Sequence, residues 1–282
     1  MSRIFLCLLF ISLFVCDMEA QIRRRQTRTV ELGVMGGLSI YSGDLSPKEL
    51  GLYFEQLKIA GGIFGRINYS QYLSMRLGLS FAQLGGDDSN TGYTDRGLNF
   101  RTNITELALT GEFNIFRLGN PKAFHVAPYI FGGVALYHFN PQGELDGNWI
   151  DLQPLGTEGQ GLPGYEKPYN LTQFAVPAGV GLKVHMNPKL TLGFEFGARK
   201  LFTDHLDDIS DVQVNYYDVL EGNGTLAARM SNPTIGEPTP ENVNYVRGGQ
   251  YEDWYYIGGV TLSFKLGEKG GPSGRGIGCP TF

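Results

Sequence analysis

Four carboxylates stand within eight residues, at Asp204, Asp207, Asp208 and Asp211. With loop carbonyls, such a group suits Ca²⁺, a hard cation that takes roughly six to eight oxygen ligands. The regular spacing and the glycine of an EF-hand loop are missing. The plainer reading is a short capped helical turn in a solvated loop, and no metal is expected. His125, His138, His185 and His205 are scattered, without ligand spacing. A lipid hydrolase would need a serine beside a histidine at the rim of a membrane fold. His205 stands near such a rim, but nothing assigns it a serine, and no G-x-S-x-G motif occurs. The chain is therefore expected to be no enzyme and to carry no cofactor.

The more telling charges are Arg66, Arg76, Glu106, Glu112, Lys183, Glu195 and Arg199. Each interrupts a run in which polar and apolar residues alternate. In the stretch from Leu190, the side chains of Leu190, Leu192, Phe194, Phe196 and Ala198 fall on one side of an extended chain. Thr191, Gly193, Glu195, Gly197 and Arg199 fall on the other. A period of two marks a strand whose faces meet different surroundings. Charges set among glycines suit a narrow lumen packed with side chains, where each ion finds a counter-ion because a lone one is costly to desolvate. The seven are expected to pair as a lumen charge network. A transport path is the sharper alternative, but eight strands enclose room for little besides side chains.

Seven more strands follow from the same periodicity: Val30–Tyr41, Leu57–Tyr69, Tyr72–Gln83, Arg101–Phe116, Phe124–Phe139, Leu171–Met186 and Glu252–Lys265. Strand five is apolar on both faces and cannot be oriented. Bulges are expected at Pro128 and Pro177, where a ladder donor is missing. Connections alternate between short ones, such as Ser70-Gln71 and Asn187-Pro188-Lys189, and long ones: the polar loop Gly85–Phe100, Asn140–Asn170 and Thr203–Tyr251. Glycine, at 40 of 282 residues, is about twice its ordinary share, which favours tightly turned antiparallel β structure over a helical bundle. The net charge of −5 gives no reason to expect nucleic acid.

Residues 1–20 read as an export signal, with Arg3 ahead of the apolar run Ile4–Val15. Cys16 raises a lipid anchor, though Val15 is a poor residue before an acylated cysteine. Residues 21–29, with Arg23, Arg24, Arg25 and Arg28, form an arm. Residues 30–265 form the barrel and residues 266–282 a glycine-rich tail. No other segment reaches the length of a membrane helix, so a spanning structure must be a closed barrel. An even strand count puts both termini in the periplasm and the long loops outside. Cleavage after Ala20 leaves Cys279 as the single cysteine, which suggests an intermolecular disulfide or close docking to a periplasmic partner.

A secreted lipocalin-like barrel or a β-sandwich would show the same alternation with the apolar face inward. Two features favour outer-membrane lipid as the surroundings. The charges sit mid-strand on the glycine-rich face, and the aromatics Tyr69, Tyr72, Trp254 and Tyr256 cluster at strand ends.

Five segments carry a resemblance that spans most of the chain: Glu31–Leu45, the LGTEGQG run Leu155–Gly161, Val176–Lys183, Phe194–Ser210, and Asp253–Phe264 with the Cys-Pro-x-Phe ending. By these the chain resembles Bacteroidetes outer-membrane barrels of the DUF6089 type, which include PorG-like components of the type IX secretion system. The resemblance implies an all-β, eight-stranded antiparallel barrel in the outer membrane without catalytic function. It implies docking to the periplasmic ring of the PorK-like lipoprotein and its PorN-like partner. The runner-up is an OmpA-like structural surface barrel without a secretion role.

Overall fold

A computed structural model describes residues 28–46, 54–90, 96–120, 124–249 and 252–266. The signal segment, nearly all of the arm, and all of the tail but Leu266, Cys279 included, lie outside the described residues. Eight long strands carry the fold: β1 Thr29–Ser42, β2 Lys58–Asn68, β3 Leu73–Asp87, β4 Asn99–Asn114, β5 His125–His138, β6 Thr172–His185, β7 Leu190–Lys200 and β8 Trp254–Leu266. Each pairs antiparallel with its sequence neighbours, and β8 pairs with β1, which closes the barrel. Closure leaves no unpaired edge, the one way a sheet can satisfy its backbone in hydrocarbon.

The register fixes the geometry. A circuit that starts at Val30 passes Ile67, Met75, Gly111, Gly132, Ala178, Ala198 and Tyr256 and returns at Ile40, ten residues further along β1. With a rise of about 3.3 Å per residue and strands about 4.8 Å apart, that stagger tilts the strands by roughly 40°. The resulting interior holds side chains and little else.

Orientation follows from exposure. Leu32 is 53% exposed and Leu77 54%, while Arg66, on the opposite face of β2, is 2% exposed. The wide apolar faces of the strands point outward, and the faces that carry the charges and many of the glycines line the lumen. At the strand ends Tyr72 stacks on Phe113 and Tyr256 on Phe196, outside the wall. Such an exterior is untenable in water, where contiguous exposed apolar surface drives association. It suits a hydrocarbon belt with aromatic rims.

Four features differ from the sequence reading. β5 is oriented: Ala127, Tyr129, Ala135 and Tyr137 face inward, and Ile130, Val134 and Leu136 outward. Its lumen face is apolar because it supplies aromatic filling rather than charge. Neither Pro128 nor Pro177 carries a bulge. Pro177 opens a gap in the β5–β6 ladder between Gly132↔Ala178 and Ala135↔Ala175, yet the register resumes unchanged beyond it. The chain skips one donor without inserting a residue. β3 and β4 run on into the expected loop and still pair at Asp87↔Asn99. The helical turn expected near Asp204 is absent. The capped helix is α1, Tyr216–Gly222, where the Asn215 side chain accepts from two backbone N–H groups, and α2, Thr225–Ser231, follows it.

The short turns are fixed by side chains in place of glycine. Ser70 Oγ accepts from the N–H groups of Tyr72 and Leu73, at 3.1 and 2.9 Å. Asn187 Oδ1 does the same for Lys189 and Leu190, each at 2.9 Å. β1 begins and β8 finishes at this short-turn end.

Leu77→Arg tests the orientation. A cation at the middle of a lipid-facing wall costs about 2–4 kcal/mol, so folding yield into lipid vesicles should fall. In a water-facing wall the same change would leave stability unaltered.

Candidate functional site

The seven lumen residues come together, and Glu31 joins them. Arg66 reaches Glu112 at 2.8 Å and Glu31 at 3.0 Å. Arg76 meets Glu195 at 2.6 Å, Lys183 meets Glu112 at 2.6 Å, and Arg199 meets Glu106 at 3.2 Å. Four cations therefore face four carboxylates, and the set is neutral. Neutral donors complete the shells. Asn68 and Ser263 donate to Glu31 at 2.8 and 3.0 Å, Tyr255 to Glu106 at 2.6 Å, and the Tyr129 hydroxyl to Glu195.

Aromatic rings separate the ions. Both Arg66 and Arg76 lie over the Phe64 ring, 5.0 and 4.5 Å from its centroid. A methyl group at Gly33 would stand 2.3 Å from that ring, and one at Gly181 2.5 Å from the Tyr129 ring. Glycine is thus needed opposite the rings as well as opposite the charges. Beside this network lies a cavity of about 20 Å³ between Arg76, Glu195, Glu106 and Arg199. That is room for about one water molecule, not for a solute path.

At the long-loop end the mouth is packed shut. Tyr41, Leu45, Phe100, Tyr137, Leu206 and Ile209 belong to one buried apolar cluster. A polar knot lies above it. Ser210 donates to Glu158 through its N–H at 2.8 Å and its hydroxyl at 2.6 Å. Arg247 donates to Thr157 at 2.7 Å and to the Asp208 carbonyl at 2.6 Å. Tyr169 donates to Asp208 at 2.6 Å, and the Thr157 hydroxyl also donates to it. Arg96 ties in the β3–β4 loop through Asp88 at 2.6 Å and the carbonyl of Asp44 at 3.0 Å. The LGTEGQG run and the DHLDDIS run, more than forty residues apart in sequence, are the two halves of this clasp.

The acidic group therefore does something other than the sequence suggested. Asp207 and Asp208 are buried, not solvated. They serve different partners: Asp208 the knot, and Asp207 the Tyr41 hydroxyl at 2.5 Å. Among the described residues, no three His, Cys, Asp or Glu side chains are grouped to hold a metal. The Tyr41 hydroxyl also lies 3.0 Å from Asp253. The phenolic hydroxyl is thus shared between two buried carboxylates, which also accept from the N–H groups of Ile209 and Leu206. Burial raises both well above the carboxylate range, helped by the charges of Asp253 and Asp44 on Asp207 and of Asp44 on Asp253. Burial likewise lifts Glu158 to about 7, against the pull of Arg247.

His205 stacks on Tyr169 with ring centroids 4.7 Å apart, and Ser210 is bound to Glu158 rather than to it. No serine–histidine pair forms there. His125 and His185, which sequence spacing separates, sit opposite each other across β5 and β6 with rings 4.0 Å apart. His138 contacts Thr172 on the outer wall.

The fold and its apolar exterior define an eight-stranded antiparallel transmembrane β-barrel with a filled lumen. The chain belongs to the family described as DUF6089, a domain of unknown function, whose profile matches residues 2–228. Among solved structures it is similar to a major outer membrane protein from Thermus thermophilus, at 15% identity, covering 86% of this chain and 100% of that one, with a TM-score of 0.40. It is also similar to Neisserial surface protein A, at 9% identity over 86% and 98%, TM-score 0.38. The N-terminal β-barrel domain of Pseudomonas aeruginosa OprF is similar at 11% identity over 86% and 98%, TM-score 0.36. No curated protein matches the chain.

Two measurements test the site. Arg199→Met leaves Glu106 buried without its cation and should cost about 3–5 kcal/mol. Adding Glu106→Gln should restore much of that, as read from urea-induced loss of the compact band on semi-native gels. Equal loss in single and double variants would mean that the pair is not coupled. Glu158 has a folded value above its unfolded one of about 4.3. Its contribution is thus present in acid and is lost as pH rises through about 7. Hydrogen-exchange protection around Ser210 should fall as pH rises from about 4.3 to about 7 and level off above that, and Glu158→Gln should remove that fall.

Proposed function

We propose that this protein is a non-enzymatic barrel of the outer membrane that anchors a periplasmic protein assembly. The observation that supports the reading is the filled interior. Ions paired within the lumen and loops packed over its mouth leave the surfaces as the working parts. The chain leaves the wall at the short-turn end through both the start of β1 and the close of β8. With the long loops outward, the start of β1 and the close of β8 face the periplasm side by side. The resemblance carried by Glu31–Leu45 and Phe194–Ser210 supplies the partner: the ring of the type IX secretion system, built from a PorK-like lipoprotein and a PorN-like protein. Cys279 on the tail is the proposed contact, by disulfide or by close docking.

Non-reducing gels of membranes from cells with the wild-type protein and with Cys279→Ser should differ by one large adduct that contains the ring lipoprotein. Deletion of the gene should abolish export of type IX cargo. Unchanged export together with identical lanes would leave a structural surface barrel without a secretion role.

A further inference from the structure

Two hollows run into each other on the outer wall where β2, β3 and β4 approach the long-loop end. The lower, about 410 Å³, lies over Gly61 and is bounded by Ile59, Phe81 and Thr105. The upper, about 580 Å³, holds Lys58, Arg101 and Trp149, with Asp87 and Glu144 at its margin. Gln83 and Asn103, opposite each other across β3 and β4, belong to both. The side chains of Phe81, Gln83, Arg101, Asn103 and Thr105 are exposed, which places them on the wall that faces away from the lumen.

The upper cleft has a built geometry. Gly85 pairs with Arg101, and a methyl group on Gly85 would stand 3.5 Å from Lys58 Cε. Lys58 and Arg101 thus border one cleft with Gly85 between them. Arg101 is held there: its Nε donates to Gln142 at 3.0 Å, and its guanidinium lies 4.0 Å from the Trp149 ring centroid. An apolar trough that rises into a polar cleft is complementary to an amphiphile. An acyl chain fits the lower part. A headgroup whose phosphate takes charge-assisted hydrogen bonds and whose hydroxyl or amine groups find carboxylates fits the upper part. Tryptophan at the boundary between the two media is where its amphipathic ring is favoured.

We propose that this groove binds one phosphate-bearing lipid of the leaflet at the loop end. Its phosphate lies between Lys58 and Arg101, and an acyl chain lies over Gly61 against Phe81. The proposal rests on the outward wall meeting hydrocarbon and is independent of any secretion role.

The test uses the full chain, purified in detergent and analysed by native mass spectrometry. The added probes are diphosphoryl lipid A, dioleoyl phosphatidylethanolamine and dioleoylglycerol. One phosphate-bearing lipid should remain bound at detergent concentrations that strip the diacylglycerol. Preference between the first two probes distinguishes a glycolipid source from a phospholipid one. Lys58→Glu with Arg101→Glu should weaken retention at least tenfold. Gly61→Leu, which fills the trough and leaves the cations in place, should do the same. Heat-modifiable migration on gels establishes that each variant is folded. A folded double variant that retains lipid as the wild type does overturns the proposal, as does equal retention of diacylglycerol. A wild-type protein recovered in the soluble fraction would overturn it together with the membrane reading.

Discussion

Charge neutrality inside the lumen is the constraint on which the rest of the structure depends. Most of the ions are buried there, and a single unmatched one would carry a desolvation cost of several kcal/mol. The match is made by residues from six strands: Glu31 on β1, Arg66 on β2, Arg76 on β3, Glu106 and Glu112 on β4, Lys183 on β6, and Glu195 and Arg199 on β7. No hairpin is neutral and satisfied alone. Arg66 needs a carboxylate from the strand before it and another from β4, and Glu112 needs a lysine from β6. The network is therefore complete only when the barrel closes, which couples closure to the pairing of every strand.

The loop-end cap follows the same logic in a different setting. Its polar groups are buried by packing between loops, outside the wall. Here the balance is imperfect. Asp204, Asp207 and Asp253 lie near one another, and repulsion adds to burial in lifting all three, Asp204 to about 9. Around Tyr41, burial without a cation favours the protonated forms of Asp207 and Asp253. The lumen thus solves burial with counter-ions and the cap solves it with protons. Glu158, lifted to about 7, changes charge within the ordinary pH range, so the cohesion of the cap depends on acidity.

Much of the wall was legible in the sequence because a strand with two unlike faces writes its orientation in every second residue. Leu190–Lys200 is unambiguous for that reason. β5 was not legible, since Ala127, Tyr129, Ala135 and Tyr137 fill the lumen with carbon and look like the residues that face lipid. Glu31 sat on the correct face, yet the Arg66 partner that gives it meaning is set by the β1–β2 register. The cap was illegible for a deeper reason. Thr157, Glu158, Asp208, Ser210 and Arg247 are joined by contacts about 40 to 90 residues apart in sequence. A row of aspartates read alone looks solvated. The stacked pair His125 and His185 was hidden likewise, being brought together by a register that no local spacing reveals.

Buried ion pairs are weak evidence for stability, because well-packed apolar groups of the same volume often serve as well. Their value here lies in what they forbid. A strand slipped by one residue exchanges its faces. On β2, β3, β6 or β7 that slip would carry Arg66, Arg76, Lys183 or Arg199 into hydrocarbon, at about 2–4 kcal/mol near the bilayer midplane, and would strip the carboxylates of their partners. An all-apolar lumen would impose no such penalty. β5 lacks any ion of the network, and its link to the network runs through Tyr129, whose hydroxyl donates to Glu195. It is held because both neighbours are fixed, with ten residues paired to β4 and twelve to β6. The strand that the sequence could not orient is thus the one that the charge network holds through a neutral donor, Tyr129, and through its neighbours.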